Sequence, residues 1–164
     1  MAFEIGGADI VTLQPPEGTG SREPRFISAT LLPGRGMNVF QIRANVPGLG
    51  AIGLLRSPSL EEARVLLESD PTGVLSFSLG AAILLPFANR IRGKLLAGDA
   101  SVETAVGTRV VRLPANWQGK VSGAEKCAIH GLILKSQFEL QSLTSRAVKA
   151  VLNAGNFGGH WLSL

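Results

Sequence analysis

The sequence predicts a mainly β fold, antiparallel in its core, with one or two short helices. Three observations predict it. Twenty glycines and nine prolines are spread along all 164 residues, so turns recur every several positions and a bundle of long helices is disfavoured. From Asn38 to Val46, Val39, Gln41, Arg43 and Asn45 alternate with Phe40, Ile42, Ala44 and Val46; this period of two marks a strand whose second set faces a core. Hydrophobic residues make up 45% of the chain and charged residues 17%, with a mean hydropathy of +0.25. That is too apolar for disorder, and the length suits one domain rather than two.

Along the chain, Ile10 to Arg25 carries Pro15-Pro16-Glu17-Gly18-Thr19-Gly20 and reads as a loop. It makes residues 1–25 an N-terminal segment ahead of a body spanning residues 26–164. Phe26 to Leu32 reads as a strand, Pro33-Gly34-Arg35-Gly36 as a turn, and Asn38 to Val46 as the next strand. Ser59-Leu60-Glu61-Glu62 is a capping box opening a helix that buries Leu60, Ala63, Leu66 and Leu67 and stops at Asp70-Pro71. The nineteen uncharged residues from Pro71 to Asn89 raise a transmembrane question. Pro71, Gly73, Gly80 and Pro86 interrupt them, so two buried strands, Val74 to Leu79 and Ala82 to Phe87 around a Gly80 turn, explain the run better. A further strand is predicted at Thr108 to Leu113, with turns at Gly98-Asp99 and Gln118-Gly119-Lys120. Gln137 to Ala154 fits two readings. Phe138 and Leu140 alternate as in a strand, whereas Leu143, Ala147, Val148, Val151 and Leu152 share a helical stripe.

The net charge of +4 and a pI near 9.8 could suit a polyanion, but the basic residues are scattered. The densest group is only Arg90, Arg92 and Lys94, and tyrosine is absent, so neither a phosphate-neutralising patch nor a base-stacking platform is expected, and nucleic acid is not an expected partner. A single cysteine, Cys127, excludes an internal disulfide and a Cys-based zinc site, in keeping with a reducing, cytoplasmic setting. The start Met1-Ala-Phe-Glu-Ile-Gly-Gly lacks the basic and apolar regions of a signal peptide, and no membrane association is expected.

Gly48-Leu49-Gly50-Ala51-Ile52-Gly53 matches the dinucleotide fingerprint, yet Pro58 follows five residues later, where a helix should run under the pyrophosphate. A glycine-rich connection between strands is the better reading, and no cofactor is expected. His130 and His160 lie thirty residues apart without an identifiable carboxylate partner, so no metal site is expected. No Gly-x-Ser-x-Gly elbow is present.

Leu85-Pro86-Phe87-Ala88-Asn89-Arg90-Ile91-Arg92-Gly93 resembles the Asn-Arg-Ile segment of the aldose 1-epimerase (galactose mutarotase) family. Leu113-Pro114-Ala115-Asn116 and Ile129-His130-Gly131 resemble that family's leucine, asparagine and His-Gly elements, in the same order. The strand ending at Val46 and the following Gly53-Leu54-Leu55-Arg56-Ser57-Pro58 are similar to its early segment. The resemblance covers roughly residues 26–164 and thins after Leu132.

The resemblance implies an antiparallel β-sandwich of the mutarotase-like type, of which this chain would be an incomplete, N-terminal part. It also implies a sugar site: Asn89 and Arg90 would hydrogen-bond hydroxyls and His130 would sit beside the ring oxygen of a hexose or hexose phosphate. The activity implied is interconversion of α and β anomers by acid/base ring opening. The pattern departs in places. His130 follows Arg90 by forty residues, Trp117 to Lys126 resembles an enlarged loop, and Glu125-Lys126-Cys127-Ala128-Ile129 replaces the usual run before His-Gly. The family's second histidine and its glutamate base have no counterpart here, and His160 does not match. The alternative is a non-catalytic carbohydrate-binding or structural sandwich. On either reading, a second chain or a homodimer contact is expected to cover an exposed sheet.

Overall fold

The computed structural model describes residues 3–16, 23–98 and 100–152. The fold is mainly β: every strand pairing is antiparallel, and one α-helix, α1 (Leu60–Glu68), accompanies the strands among these residues. In chain order the strands are β1 (Glu4–Ile5), β2 (Ala8–Asp9), β3 (Val11–Leu13), β4 (Arg25–Leu32), β5 (Asn38–Val46), β6 (Gly50–Gly53), β7 (Arg90–Ile91), β8 (Lys94–Leu95), β9 (Ser101–Val106), β10 (Arg109–Pro114), β11 (Trp117–Gln118), β12 (Lys126–Ile129), β13 (Glu139–Leu143) and β14 (Val148–Val151). They form a four-stranded sheet β3-β4-β5-β6, three-stranded sheets β10-β9-β8 and β11-β12-β7, and the ribbons β1-β2 and β13-β14.

The expected loop from Ile10 to Arg25 contains β3, because Val11, Thr12 and Leu13 pair with Leu31, Thr30 and Ala29. Residues 17–22 lie outside the described part. The Pro33-Gly34-Arg35-Gly36 turn forms as expected, as a 3-10 turn, and it is buried. A side chain at Gly34 would meet the Ile5 carbonyl at 2.2 Å, so only glycine allows β1 this close. The alternating stripe of β5 divides. Thr30 pairs with Gln41 but Leu31 with Val39, leaving Phe40 as an extra residue that bulges the strand. Phe40 joins Ile5, Leu32, Ala63, Leu67 and Leu79 in one core cluster. Ile42 instead lines an apolar groove with Leu13, Phe26 and Ala29.

Helix α1 starts as the capping box requires: Ser59 accepts from the Glu62 N–H at 3.3 Å, and Glu62 accepts from the Ser59 N–H at 2.9 Å. At its other end the buried Arg35 guanidinium donates to the Leu67 carbonyl and, at 3.3 Å, to that of Asp70. The Leu67 carbonyl, in the helix's last turn, also accepts from the Asp70 N–H at 3.2 Å, so Arg35 ties the end of α1 to the turn that follows it.

The strands expected at Val74 to Leu79 and Ala82 to Phe87 are not formed. Val74–Ser78 is a 3-10 turn, and from the second run's vicinity only Ala81 bridges to Val39. Side chains have taken the backbone partners a strand would need. Asp70 accepts from the Thr72 hydroxyl at 2.6 Å, the Thr72 N–H at 2.9 Å and the Leu75 N–H at 2.8 Å. The buried Asn38 amide donates to the Ser76 and Leu79 carbonyls, each at 3.1 Å. No helix among the described residues is long and apolar enough to cross a membrane.

Burial alone would raise the Asp70 pKa, but the bonds from Thr72, Leu75 and Gly73 hold it below the ordinary aspartate value. A depressed folded-state pKa contributes stability that is present above the unfolded value and lost as pH falls through the folded one. The urea midpoint of the wild type is therefore expected above that of Asp70→Asn near neutrality. The gap should close as pH falls below about 3.9, the ordinary aspartate value. A gap constant down the acid range would contradict this assignment.

In the second half, Val102, Val111, Leu113 and Ala128 form a second core cluster, flanked by Phe87, Ile91, Leu95, Ala115 and Leu132. It joins the two three-stranded sheets. The strand expected at Thr108 to Leu113 is β10, and its partner β9 was not anticipated. Gln118 belongs to β11, so the turn expected there begins at Gly119; Asp99 lies outside the described residues. The two readings of Gln137 to Ala154 resolve as the β13-β14 ribbon. Its register slips between Leu140 and Ser142, which carries Leu140 and Leu143 to one face with Ala150 and Val148. Asn153 and Ala154 lie outside the described residues.

Candidate functional site

The forty residues between Arg90 and His130 are closed by sheet pairing. In the β7-β12 pair Arg90 faces Ile129 and Ile91 faces Ala128, and the His130 N–H donates to the Asn89 carbonyl at 3.2 Å. Asn89, Arg90 and His130 are thus brought together along one pair of strand ends.

Each neighbour of His130 is fixed from elsewhere. The Asn116 side chain accepts from the Ile129 N–H at 2.8 Å and donates to the Ile129 carbonyl at 3.3 Å. That amide does for Ile129 what another strand would do. Gly131 has φ +85° and packs on Leu85, whose carbonyl accepts from the Leu132 N–H at 2.7 Å. His130 itself has φ +62°, sparsely populated for a residue with a Cβ and found where surrounding structure holds it.

The His130 ring is half-buried against Phe77, with centroids 3.8 Å apart and planes at 49°. Its Nδ1 lies 2.8 Å from the Ala88 carbonyl. A carbonyl only accepts, so Nδ1 carries the proton and Nε2 is left to accept when the ring is neutral or donate when it is charged. Asn89 is exposed, and its Oδ1 accepts from the Arg90 N–H at 2.8 Å. The Arg90 guanidinium lies over the Trp117 ring, 4.3 Å from its centroid. The next basic side chain, Arg92, is paired with Glu125 at 3.3 Å.

Cys127 is buried behind this surface. Burial pushes its thiol pKa up against the opposing pull of Arg90 and Arg92, so at neutral pH it is a thiol and a poor nucleophile. No cluster of His, Cys, Asp and Glu able to hold a metal occurs among the described residues. Gly50–Gly53 is the edge strand β6 rather than a loop entering a helix, so the Gly48 to Gly53 fingerprint has no helix N-terminus to offer a pyrophosphate. His160 lies outside the described residues.

A cavity of about 410 Å³ opens beside the same segment, walled by Thr72, Pro114, Asn116, Gly131, Leu132 and Lys135 among others. Asn89, Arg90 and His130 are not in its wall. Sequence reasoning missed Phe77 and Trp117. Trp117 directly follows the Pro114-Ala115-Asn116 motif, and that position was the only signal available. Scans against protein-family models, curated proteins and solved structures each found no match to this chain.

Proposed function

We propose that this chain carries the hydroxyl-reading part of an aldose 1-epimerase-like sugar site, for a hexose or hexose phosphate. The observation that supports the reading is the Arg90–Ile129 pairing, which sets Asn89 and Arg90 beside a conformationally constrained His130. An amide and a guanidinium suit vicinal hydroxyls. With Nδ1–H committed to Ala88, a charged His130 has Nε2–H to donate toward a ring oxygen that gains charge as the ring opens. Ring opening also needs a base for the C1 hydroxyl. Among the described residues no carboxylate is hydrogen-bonded to or ion-paired with His130. That observation favours the second reading, a carbohydrate-binding sandwich without turnover.

Isothermal titration with glucose, galactose and glucose 6-phosphate tests the shared part of both readings. Binding by the wild type is expected, weakened about tenfold in Arg90→Ala, since an unpaired hydroxyl partner costs roughly 1–3 kcal/mol. Absence of binding by the wild type to all three sugars overturns the proposal.

A further inference from the structure

We propose that Trp117 is a positioning residue, the platform that holds the Arg90 guanidinium ready for an oxygen-rich ligand; the ligand class rests on the sugar-site reading above. The sheet register brings the two together. Trp117 faces Cys127 across β11-β12, and Arg90 faces Ile129 across β12-β7. Cys127 and Ile129 are two residues apart on β12, so their side chains share one side of the sheet. Directly opposed residues in antiparallel strands point the same way, so Trp117 and Arg90 also lie on that side, one strand removed on either flank. The guanidinium then reaches the indole face at 4.3 Å.

A guanidinium seated over an indole is held through its charge, which uses up none of its N–H donors and leaves them to bind. Among the described residues no carboxylate is paired with Arg90, whereas Arg92, Arg64 and Arg112 are paired with Glu125, Glu61 and Glu103. An exposed arginine ordinarily loses much side-chain freedom when it takes up a ligand. Held on an indole, this one has already lost it, so less affinity is given up on binding. The half-buried Trp117 has an anchored base, because β11 hydrogen-bonds to β12 and the Gln118 side chain donates to the Ala124 carbonyl at 2.7 Å.

The test compares Trp117→Leu, Trp117→Phe, Arg90→Ala and the Trp117→Leu/Arg90→Ala double variant by calorimetry with the sugar that the wild type binds. Trp117→Leu is expected to weaken binding about two- to fivefold, the scale of a cation–π contact at a half-exposed site. Trp117→Phe should keep most of the affinity, and the double variant should bind no worse than Arg90→Ala. Losses that multiply in the double variant, or an unaffected Trp117→Leu, overturn the positioning role. A folding defect in Trp117→Leu is bypassed by Trp161→Phe protein, in which Trp117 is the remaining tryptophan. There Arg90→Ala should change the emission of Trp117 without any ligand, and unchanged emission overturns the stack. Because that last reading needs no sugar, it separates failure of the platform from failure of the sugar-site proposal.

Discussion

Gly131→Ala is expected to lose about 2–5 kcal/mol of stability, enough to unfold much of a marginally stable domain. Two costs act together. The residue has φ +85°, where a Cβ brings backbone strain of roughly 1–2 kcal/mol. A Cβ there would also lie 2.1 Å from the Leu85 carbonyl oxygen and 2.8 Å from the Leu85 backbone nitrogen and carbonyl carbon. Those atoms are main chain and cannot swing aside as a side chain would, so relief requires moving Leu85 and breaking its hydrogen bond from Leu132. Overpacking of this kind costs typically 1–3 kcal/mol. Gly48→Ala is the control, because Gly48 has φ +80° but nothing within 4 Å of its would-be Cβ. It should show the strain alone. Urea unfolding of the two variants separates the contributions, and equal losses would show that the Leu85 contact is not tight. Since Gly131 follows His130, the same variant should also disturb the candidate site.

The elements legible in the sequence are those whose signal is local. The capping box at Ser59 needs only residues three apart, and it forms as expected. The strand from Asn38 to Val46 needs only its own alternation, and β5 has those bounds. What could not be read is what partners decide. The bulge at Phe40 exists only relative to β4. The run from Val74 to Leu79 is apolar enough for a strand, but the Asn38 amide, reaching across dozens of residues, claims the Ser76 and Leu79 carbonyls. The site divides in the same way. Asn89, Arg90 and His130 stand in short motifs, so their types and order could be read. The indole under Arg90 depends on β11 pairing with β12, and the ring beside His130 depends on a 3-10 turn whose apolar sequence reads as a strand. Asn116 lay in a motif too, but its role, holding Ile129 by both backbone groups, becomes visible only in three dimensions.

Polarimetry on freshly dissolved α-glucose or α-galactose is expected to show this chain no faster than its His130→Ala variant or buffer, even where calorimetry detects binding. A positioned acid and a positioned base each contribute about 10²–10⁴-fold, so a site with one candidate acid and, among the described residues, no carboxylate bonded to it retains mainly orientation. Glu61, Glu62, Asp70, Glu103 and Glu125 have other partners. Glu62 caps Ser59, and Asp70 holds the Thr72–Leu75 turn. Glu61, Glu103 and Glu125 are paired with Arg64, Arg112 and Arg92. Of these, Glu125 is tied to the site's strand, being ion-paired with Arg92, two residues from Arg90, and acting electrostatically on Cys127. A wild-type rate far above both controls would therefore mean that a base is present in these residues, and loss of that rate in Glu125→Gln would identify it. A rate equal to buffer, together with sugar binding that Arg90→Ala weakens, would leave the chain as a site that reads hydroxyls without opening the ring.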